Sequence, residues 1–289
     1  MNDLAAQRRF YAEEIQMAAN LRSPAIVEAL AAVEREQFLP TGPWTIRSEV
    51  DLQGGPRTTP DADPRHVYHN IAIAIDPSRN LFNGSPALLS MAIDSLAIEP
   101  GARVLHLGTG TGYYTAVMAH CVGPNGRVLG IEVDAGLAET SRRNLAGLPW
   151  VEMRQGDGSS PPGEPFDAVM INAGVTHPQD SWLEALTPGG RMIMPLTASA
   201  PAMGNIGKGL LLHVARSGES DAYTARVLTF VAIYSAQGLR NEILNTAIGK
   251  SLRTQMLPRL ARLRREEHDV SPDCWLHSPG FCLSTSADA

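Results

Sequence analysis

Cysteine, positive charge and long apolar runs are all scarce in this chain of 289 residues. The cysteines, Cys121, Cys274 and Cys282, form an odd set. That excludes a framework of paired disulfides and fits reduced thiols in a cytoplasm. The 24 Lys and Arg are outnumbered by 30 Asp and Glu, for a formal net charge of −6. No overall positive field exists to gather nucleic acid or anionic lipid, and we expect neither as a partner. Aliphatic runs such as Ile71-Ala-Ile-Ala-Ile75 are too short to cross a bilayer as a helix. After Arg8-Arg9, the stretch Phe10–Gln16 holds Glu13 and Glu14 where an export signal needs apolar residues. We therefore expect a cytoplasmic protein with no signal peptide and no membrane span. What is present is apolar material, 44% of residues against 19% charged, enough for one large domain or a domain with extensions.

Two amphipathic helices are expected first, one over Leu4–Asn20 and one opening at Ser23-Pro24, a hydroxyl N-cap followed by proline. Pro40 to Pro64 is rich in Gly, Pro, Thr and Asp without periodicity and reads as a long connection or lid. From Arg103 short β-rich runs alternate with helical spacing, the pattern of a parallel sheet with crossover helices. The expected strands are Arg103–Leu107, Val128–Glu132, Val151–Gln155, Phe166–Ile171, Arg191–Pro195, Leu210–Ala215 and Ala225–Ile233. Helices are expected at Tyr113–His120, Ala135–Leu145 and Gln179–Leu186. Only Ser217-Gly-Glu-Ser220 and neighbours separate the last two strands, so they should form an antiparallel hairpin. The fold class is α/β, a Rossmann-like seven-stranded sheet. Residues 1–80 form an N-terminal helical and lid region, 81–237 the sheet domain and 238–289 a helical C-terminal extension with a basic face at Arg259, Arg262, Arg264 and Arg265.

The run Val104-Leu-His-Leu107 enters Gly108-Thr-Gly-Thr-Gly112 and then a helix, so the turn lies at the carboxyl end of a parallel strand, where such sheets bind ligands. A dinucleotide turn needs G-x-G-x-x-G, but position 113 is Tyr and the third glycine falls at 112. The spacing favours a nucleoside sulfonium over a pyrophosphate. Glu132 ends the second strand, where a carboxylate can accept both ribose hydroxyls, and Val133 follows it. Asp157-Gly158 after the third strand can hold an adenine amino group, and Asn172 ends the fourth beside the expected methyl.

On these residues the chain resembles protein L-isoaspartate O-methyltransferases over roughly Val33 to Ser235. The resemblance rests on Val104-Leu-His-Leu-Gly-Thr-Gly-Thr-Gly-Tyr113, Gly126-Arg-Val-Leu-Gly-Ile-Glu132, Gly156-Asp-Gly158, Pro165-Phe-Asp167, Leu186-Thr-Pro-Gly-Gly-Arg-Met-Ile-Met-Pro195 and, upstream, Val33-Glu-Arg-Glu-Gln-Phe-Leu-Pro40. It implies a Rossmann-like methyltransferase that uses S-adenosylmethionine and releases S-adenosylhomocysteine. It also implies methylation of an isoaspartyl carboxylate, followed by succinimide formation; related peptide-modifying enzymes act on aspartate. The cofactor residues it implies are His106, Gly108, Thr109, Gly110, Thr111, Gly112, Tyr113, Glu132, Val133, Asp157, Gly158 and Asn172. His106 stands where the family usually has an acid, so one polar tether of the cofactor is changed. Gly84 stands where the family's Ser-x-Pro serine belongs, with Ser85 beside it and Pro86 next, which suggests a changed acceptor.

A carboxylate acceptor, with an ordinary pKa near ~3.9, is ionised at neutral pH and needs no strong base. The site has to align oxygen, methyl carbon and sulfur and to exclude water. Asn83, Ser85 and Asn172 are the polar side chains placed there, with His177 as a residue that could orient or deprotonate an acceptor. Ser85 also reads as a helix N-cap, and His177 as an ordinary loop histidine. Cys274, His277 and Cys282 lack a clear fourth partner and a paired C-x-x-C, so no metal site is expected. The acceptor is a peptide or protein, or alternatively a small molecule; a cofactor-binding protein without turnover is a further alternative.

Overall fold

The helical spacing of the first residues is realised as α1 (Leu4–Ala19) and α2 (Pro24–Ala32). In this computed structural model, which describes residues 4–48, 54–161, 163–218 and 222–287, four short strands follow: β1 (Thr45–Arg47), β2 (Arg57–Thr58), β3 (Ala72–Asp76) and β4 (Leu81–Phe82). Next come α3 (Pro86–Ser95), β5 (Arg103–Leu107), α4 (Tyr113–Val122), β6 (Arg127–Glu132), α5 (Ala135–Asn144), β7 (Val151–Gln155), β8 (Phe166–Ile171), α6 (Asp180–Glu184) and β9 (Leu186–Ala198). The chain ends with β10 (Ile206–Arg216), β11 (Tyr223–Tyr234), α7 (Glu242–Thr254), β12 (Arg262–Arg264), β13 (Cys274–Ser278) and β14 (Phe281–Ser284). All seven strands expected from the sequence are among them. No helix of the described residues is long and apolar enough to cross a membrane.

The chain divides into two compact units, Met1–Ala102 with Thr109–Gln155, and Arg103–Gly108 with Gly156–Ala289. In the first, α1 packs on α2 and α3, and α2 packs on α4. β6 and β7 pair in parallel, Val128 opposite Val151 and Glu132 opposite Gln155. α4 is buried on nearly every side, whereas α5 buries only Ala138 and Ser141 and exposes its charged face. Asp134 caps α5 by accepting from Leu137 N at 2.9 Å.

The stretch read as a long connection or lid holds short strands of its own. Trp44 and Ile46 are buried, and β1 pairs with both β2 and β3 in a small antiparallel sheet. Residues 49–53 of that stretch lie outside the described residues. Ser23 does stand at the N-cap of α2, but its side chain makes no capping bond. The carboxylate of Asp94 instead accepts from the backbone N of Ser23 at 2.8 Å and of Arg22 at 3.2 Å.

In the second unit the strand order is β13-β14-β12-β11-β10-β9-β8-β5. β5, β8 and β9 run parallel, and β5 and β8 are near-continuous apolar runs because strands of this kind are covered on both faces. β10 and β11 form the expected antiparallel hairpin, bulged at Leu211/Leu212; Glu219 and Ser220 of its loop lie outside the described residues.

The C-terminal extension is only partly helical. α7 forms where the spacing places it, capped by Asn241 accepting from Leu244 N at 3.0 Å. Beyond it the expected basic helix face is corrected to a strand: β12 pairs with β11 and β14. Arg265 turns to α6, 2.9 Å from Asp180 Oδ1 and 3.2 Å from Glu184 Oε1. The β-forming runs on either side of Pro279-Gly280 then close a hairpin, β13 against β14.

Candidate cofactor and acceptor residues

Glu132 closes β6 with a carboxylate that is 6% exposed. Its Oε2 accepts from Gly110 N at 2.8 Å and its Oε1 from Asp134 N at 3.1 Å. Burial raises the carboxyl above its usual range, and the backbone N–H groups oppose that rise. The turn can close on this acid because Gly112 has φ +97°, and a Cβ there would stand 2.7 Å from Ser141 Oγ and 2.9 Å from Leu145 Cδ1. Thr111 turns its hydroxyl onto Phe38 O at 2.6 Å, and its own carbonyl accepts from Asn144 Nδ2 at 2.9 Å. Tyr113 is buried, edge-on to Phe38 and 3.4 Å from the Tyr11 hydroxyl. Thr111 and Tyr113 thus brace the turn from within the first unit. The Thr109 hydroxyl is buried and has no hydrogen-bond partner among the described residues, and Val133 is 37% exposed beside the acid.

A buried cation with no signature in the sequence ties together the segments around Val67–Ile71 and Asn83. Arg35 is 0% exposed. Its Nη1 donates to Val67 O at 2.6 Å and His69 O at 3.1 Å, and its Nη2 to Ile71 O at 2.8 Å and Asn83 Oδ1 at 3.4 Å. The guanidinium also lies over the rings of Tyr11 and Tyr113, 5.8 and 5.6 Å from their centroids. Asn83 Oδ1 accepts as well from Ile73 N at 3.0 Å, while its Nδ2 is buried and unpartnered among the described residues.

Ser85 is 2% exposed and caps α3. Its hydroxyl donates to Asn70 Oδ1 at 3.3 Å, and Asn70 Oδ1 also accepts from Ala87 N at 3.0 Å. The N-cap reading of Ser85 describes what its hydroxyl does in this structure. Gly84 has φ +79°, and a Cβ there would meet Leu89 Cδ1 at 2.8 Å. A serine at position 84 would be strained in this backbone, which gives the departure at Gly84 a physical reason. Arg79, also missed, donates to Asp76 and Asp134 at 2.6 Å each and ties the segment after β3 to the loop that follows Glu132.

The second unit holds the remaining residues. His106 is fully buried in β5, and burial pushes its imidazole down to about 3, so it is neutral. Gly108 has φ +77°, and its carbonyl accepts from Asn172 Nδ2 at 3.4 Å. Asp157 is exposed and binds the backbone N and hydroxyl of Ser159 at 2.9 and 2.8 Å, which lower its pKa. Gly158 O accepts from Trp182 Nε1 at 2.7 Å. His177 has both ring nitrogens engaged, Nδ1 with Thr176 Oγ1 and Nε2 with Gln179 Nε2, each at 3.0 Å, and burial lowers its pKa.

A family model described as protein-L-isoaspartate(D-aspartate) O-methyltransferase matches residues 57–208. The chain belongs to this family. Among its relatives, a protein-L-isoaspartate O-methyltransferase of Rhodopseudomonas palustris is 35% identical over 203 residues, covering 68% of this chain and 72% of the relative. One of Methanopyrus kandleri is 30% identical over 189 residues, covering 64% and 74%. Among solved structures, a protein-L-isoaspartate O-methyltransferase superposes with a TM-score of 0.64 at 21% identity, over 89% of this chain and 73% of the other. One from Plasmodium falciparum, described as putative and in complex with S-adenosyl-L-homocysteine, gives 0.59 at 15% identity, over 80% and 98%. The fold is the Rossmann-like methyltransferase fold, as expected from the sequence.

Proposed function

We propose that the chain is an S-adenosylmethionine-dependent O-methyltransferase that methylates an isoaspartyl or aspartyl side-chain carboxylate in a peptide or protein. The observation that carries the reading is Glu132. A carboxylate offers about four acceptor positions; Gly110 N and Asp134 N take one on each oxygen, and the backbone N–H of Val133 also acts on the group, which leaves acceptor capacity for the ribose. The residues fit the cofactor on that ground, and the buried, unpartnered Thr109 hydroxyl beside them is a further polar atom available to it.

Bound S-adenosylmethionine supplies an electrophilic methyl group on a sulfonium. The chain's own residues hold and orient. Glu132 would hold the ribose, Val133 beside it would offer apolar surface, and the exposed Asp157 carboxylate would accept from the adenine amino group. The free Nδ2 of Asn83 is a donor that an acceptor oxygen would satisfy. Ser85 and His177 shape their loops. No side chain has to remove a proton, because the acceptor is already ionised, so rate comes from alignment and exclusion of water. The three free cysteines support a cytoplasmic setting. The net charge of −6 favours a peptide or protein acceptor over nucleic acid.

The test is methyl transfer to a matched pair of peptides with isoaspartate or aspartate at one position, read by mass spectrometry. Gain of a methyl group on either peptide, or loss of water through succinimide closure, is expected. Isoaspartate alone means repair chemistry with glycine at position 84; aspartate means a peptide-modifying enzyme. Silence on both, with S-adenosylhomocysteine still bound, overturns the carboxylate acceptor and points to a small molecule.

A further inference from the structure

Four candidate metal ligands converge at the end of the chain, outside every residue assigned above. His268, Cys274, His277 and Cys282 each offer one ligand atom, and these atoms all lie within 4.8 Å of one another. The sequence reading counted Cys274, His277 and Cys282 and found no fourth; His268, from the loop after β12, is the fourth. We propose that these four residues bind one zinc ion in a closed tetrahedral site that staples the C-terminal hairpin to that loop.

The backbone is arranged for the purpose. Residues three apart on a regular strand point to opposite faces, so Cys274 and His277 could not share a ligand on an ideal β13. The ladder between β13 and β14 shifts register between Cys274 and Leu276, and the bulge brings both side chains to one face. His277 pairs directly with Cys282 across the hairpin, which puts the third ligand on the same face.

The neighbouring groups fit metal ligation. His268 Nδ1 is 2.9 Å from Glu266 O, the hydrogen bond that fixes a ligating histidine's tautomer and leaves Nε2 free. His268 Nε2 is 3.6 Å from Cys274 Sγ, about the edge of a tetrahedron built on Zn–S and Zn–N bonds of ~2.3 and ~2.0 Å. Ser271 N and Oγ both lie 3.4 Å from Cys274 Sγ, placed to donate to a thiolate. The rings of His268 and His277 stand edge to face, 4.8 Å between centroids. His277 Nδ1 is buried and unpartnered among the described residues, an orphan that metal ligation of the ring would account for. Cys274 and His277 also line a cavity of about 630 Å³ beside α7, which gives an ion a way in.

Two thiolates and two imidazoles suit zinc, and four protein ligands leave no position for water, so the site is structural and not hydrolytic. The full chain, purified without a histidine tag or chelator, should carry about one equivalent of zinc by elemental analysis and native mass spectrometry. His268→Ala and Cys274→Ser should lose most of it, while Cys121→Ser, which alters a buried cysteine of α4, keeps it. Cobalt added to the metal-free wild type should give thiolate charge-transfer bands and intense tetrahedral d–d bands, a readout independent of whether a variant folds. Wild-type protein without zinc and without that cobalt spectrum overturns the proposal. So does a Cys274–Cys282 disulfide in the purified chain, or zinc that survives both ligand substitutions.

Discussion

Arg35 and Glu132 are buried charges of opposite sign in the same compact unit, and among the described residues neither sits in an ion pair. Each is met by backbone instead. Arg35 gives its donors to the carbonyls of Val67, His69 and Ile71, whereas Glu132 receives the N–H groups of Gly110 and Asp134. The difference lies in what remains. The Nη groups of the guanidinium are committed to protein, with Tyr11 and Tyr113 beneath them and Nε buried without a partner among the described residues, while the carboxylate takes backbone N–H groups and keeps acceptor capacity beyond them. The first charge spends most of its donors on the scaffold; the second is the one we propose for the cofactor.

Replacing the scaffold charge should cost most. Arg35→Met leaves the carbonyls of Val67, His69 and Ile71 without their donor, the first of them buried, and should lower stability by about 3 kcal/mol, read as a shift in denaturant midpoint. A loss below about 1 kcal/mol would mean that the carbonyls find other donors and would dissolve the contrast.

Glu132→Ala should weaken S-adenosylhomocysteine binding by about 1.5–3 kcal/mol in calorimetry, roughly ten- to a hundredfold or more. The same carboxyl makes the stability of the fold depend on pH. A carboxyl with a raised folded pKa contributes stability below its ordinary pKa and loses it as pH rises through the raised one. Ionisation of Glu132 therefore costs stability as pH rises, and Glu132→Gln should flatten that pH dependence of the melting temperature while affinity falls. Unchanged affinity would remove Glu132 from the cofactor site.

His106 extends the comparison to a buried group that stays neutral. Its folded pKa is depressed to about 3, so the unfolded chain binds the proton first as pH falls below about 6.5, and stability declines with it. At about pH 5 the decline amounts to about 2 kcal/mol. His106→Gln should flatten that part of the stability profile; an unaltered slope would assign the acid sensitivity elsewhere. The smallest effect belongs to the half-exposed bridge of Arg79 to Asp134, 2.6 Å long. Arg79→Ala should cost under about 1 kcal/mol and fade in salt.

The sheet was legible because its signals are local. Arg103–Leu107 is an apolar run ending at a glycine turn, and β5 has those bounds. β9 is longer than Arg191–Pro195 because Pro188-Gly189-Gly190, outside the expected strand, is absorbed where the pairing with β8 skips from Phe166/Leu186 to Ala168/Arg191. Arg35 had no signature, since its partners are backbone carbonyls that no residue type encodes. Cys274, His277 and Cys282 stood out as three candidate ligands, but His268 did not, and the bulge that aligns Cys274 with His277 is invisible in residue spacing. Asn83 and Ser85 were found as polar residues near a proline-started helix, but which of them keeps a free polar atom depends on the neighbours Asn70 and Arg35.

The bulge in β13 also bears on how this molecule lives among copies of itself. β13 is the last strand at its end of the sheet, five residues long and interrupted near its middle. A straight, bare edge would invite another chain to add its own strand and seed aggregates. An edge this short and kinked offers too few aligned amide groups to act as a template, so the irregularity that gathers the histidines and thiols also ends the growth of the sheet at the molecule's own boundary.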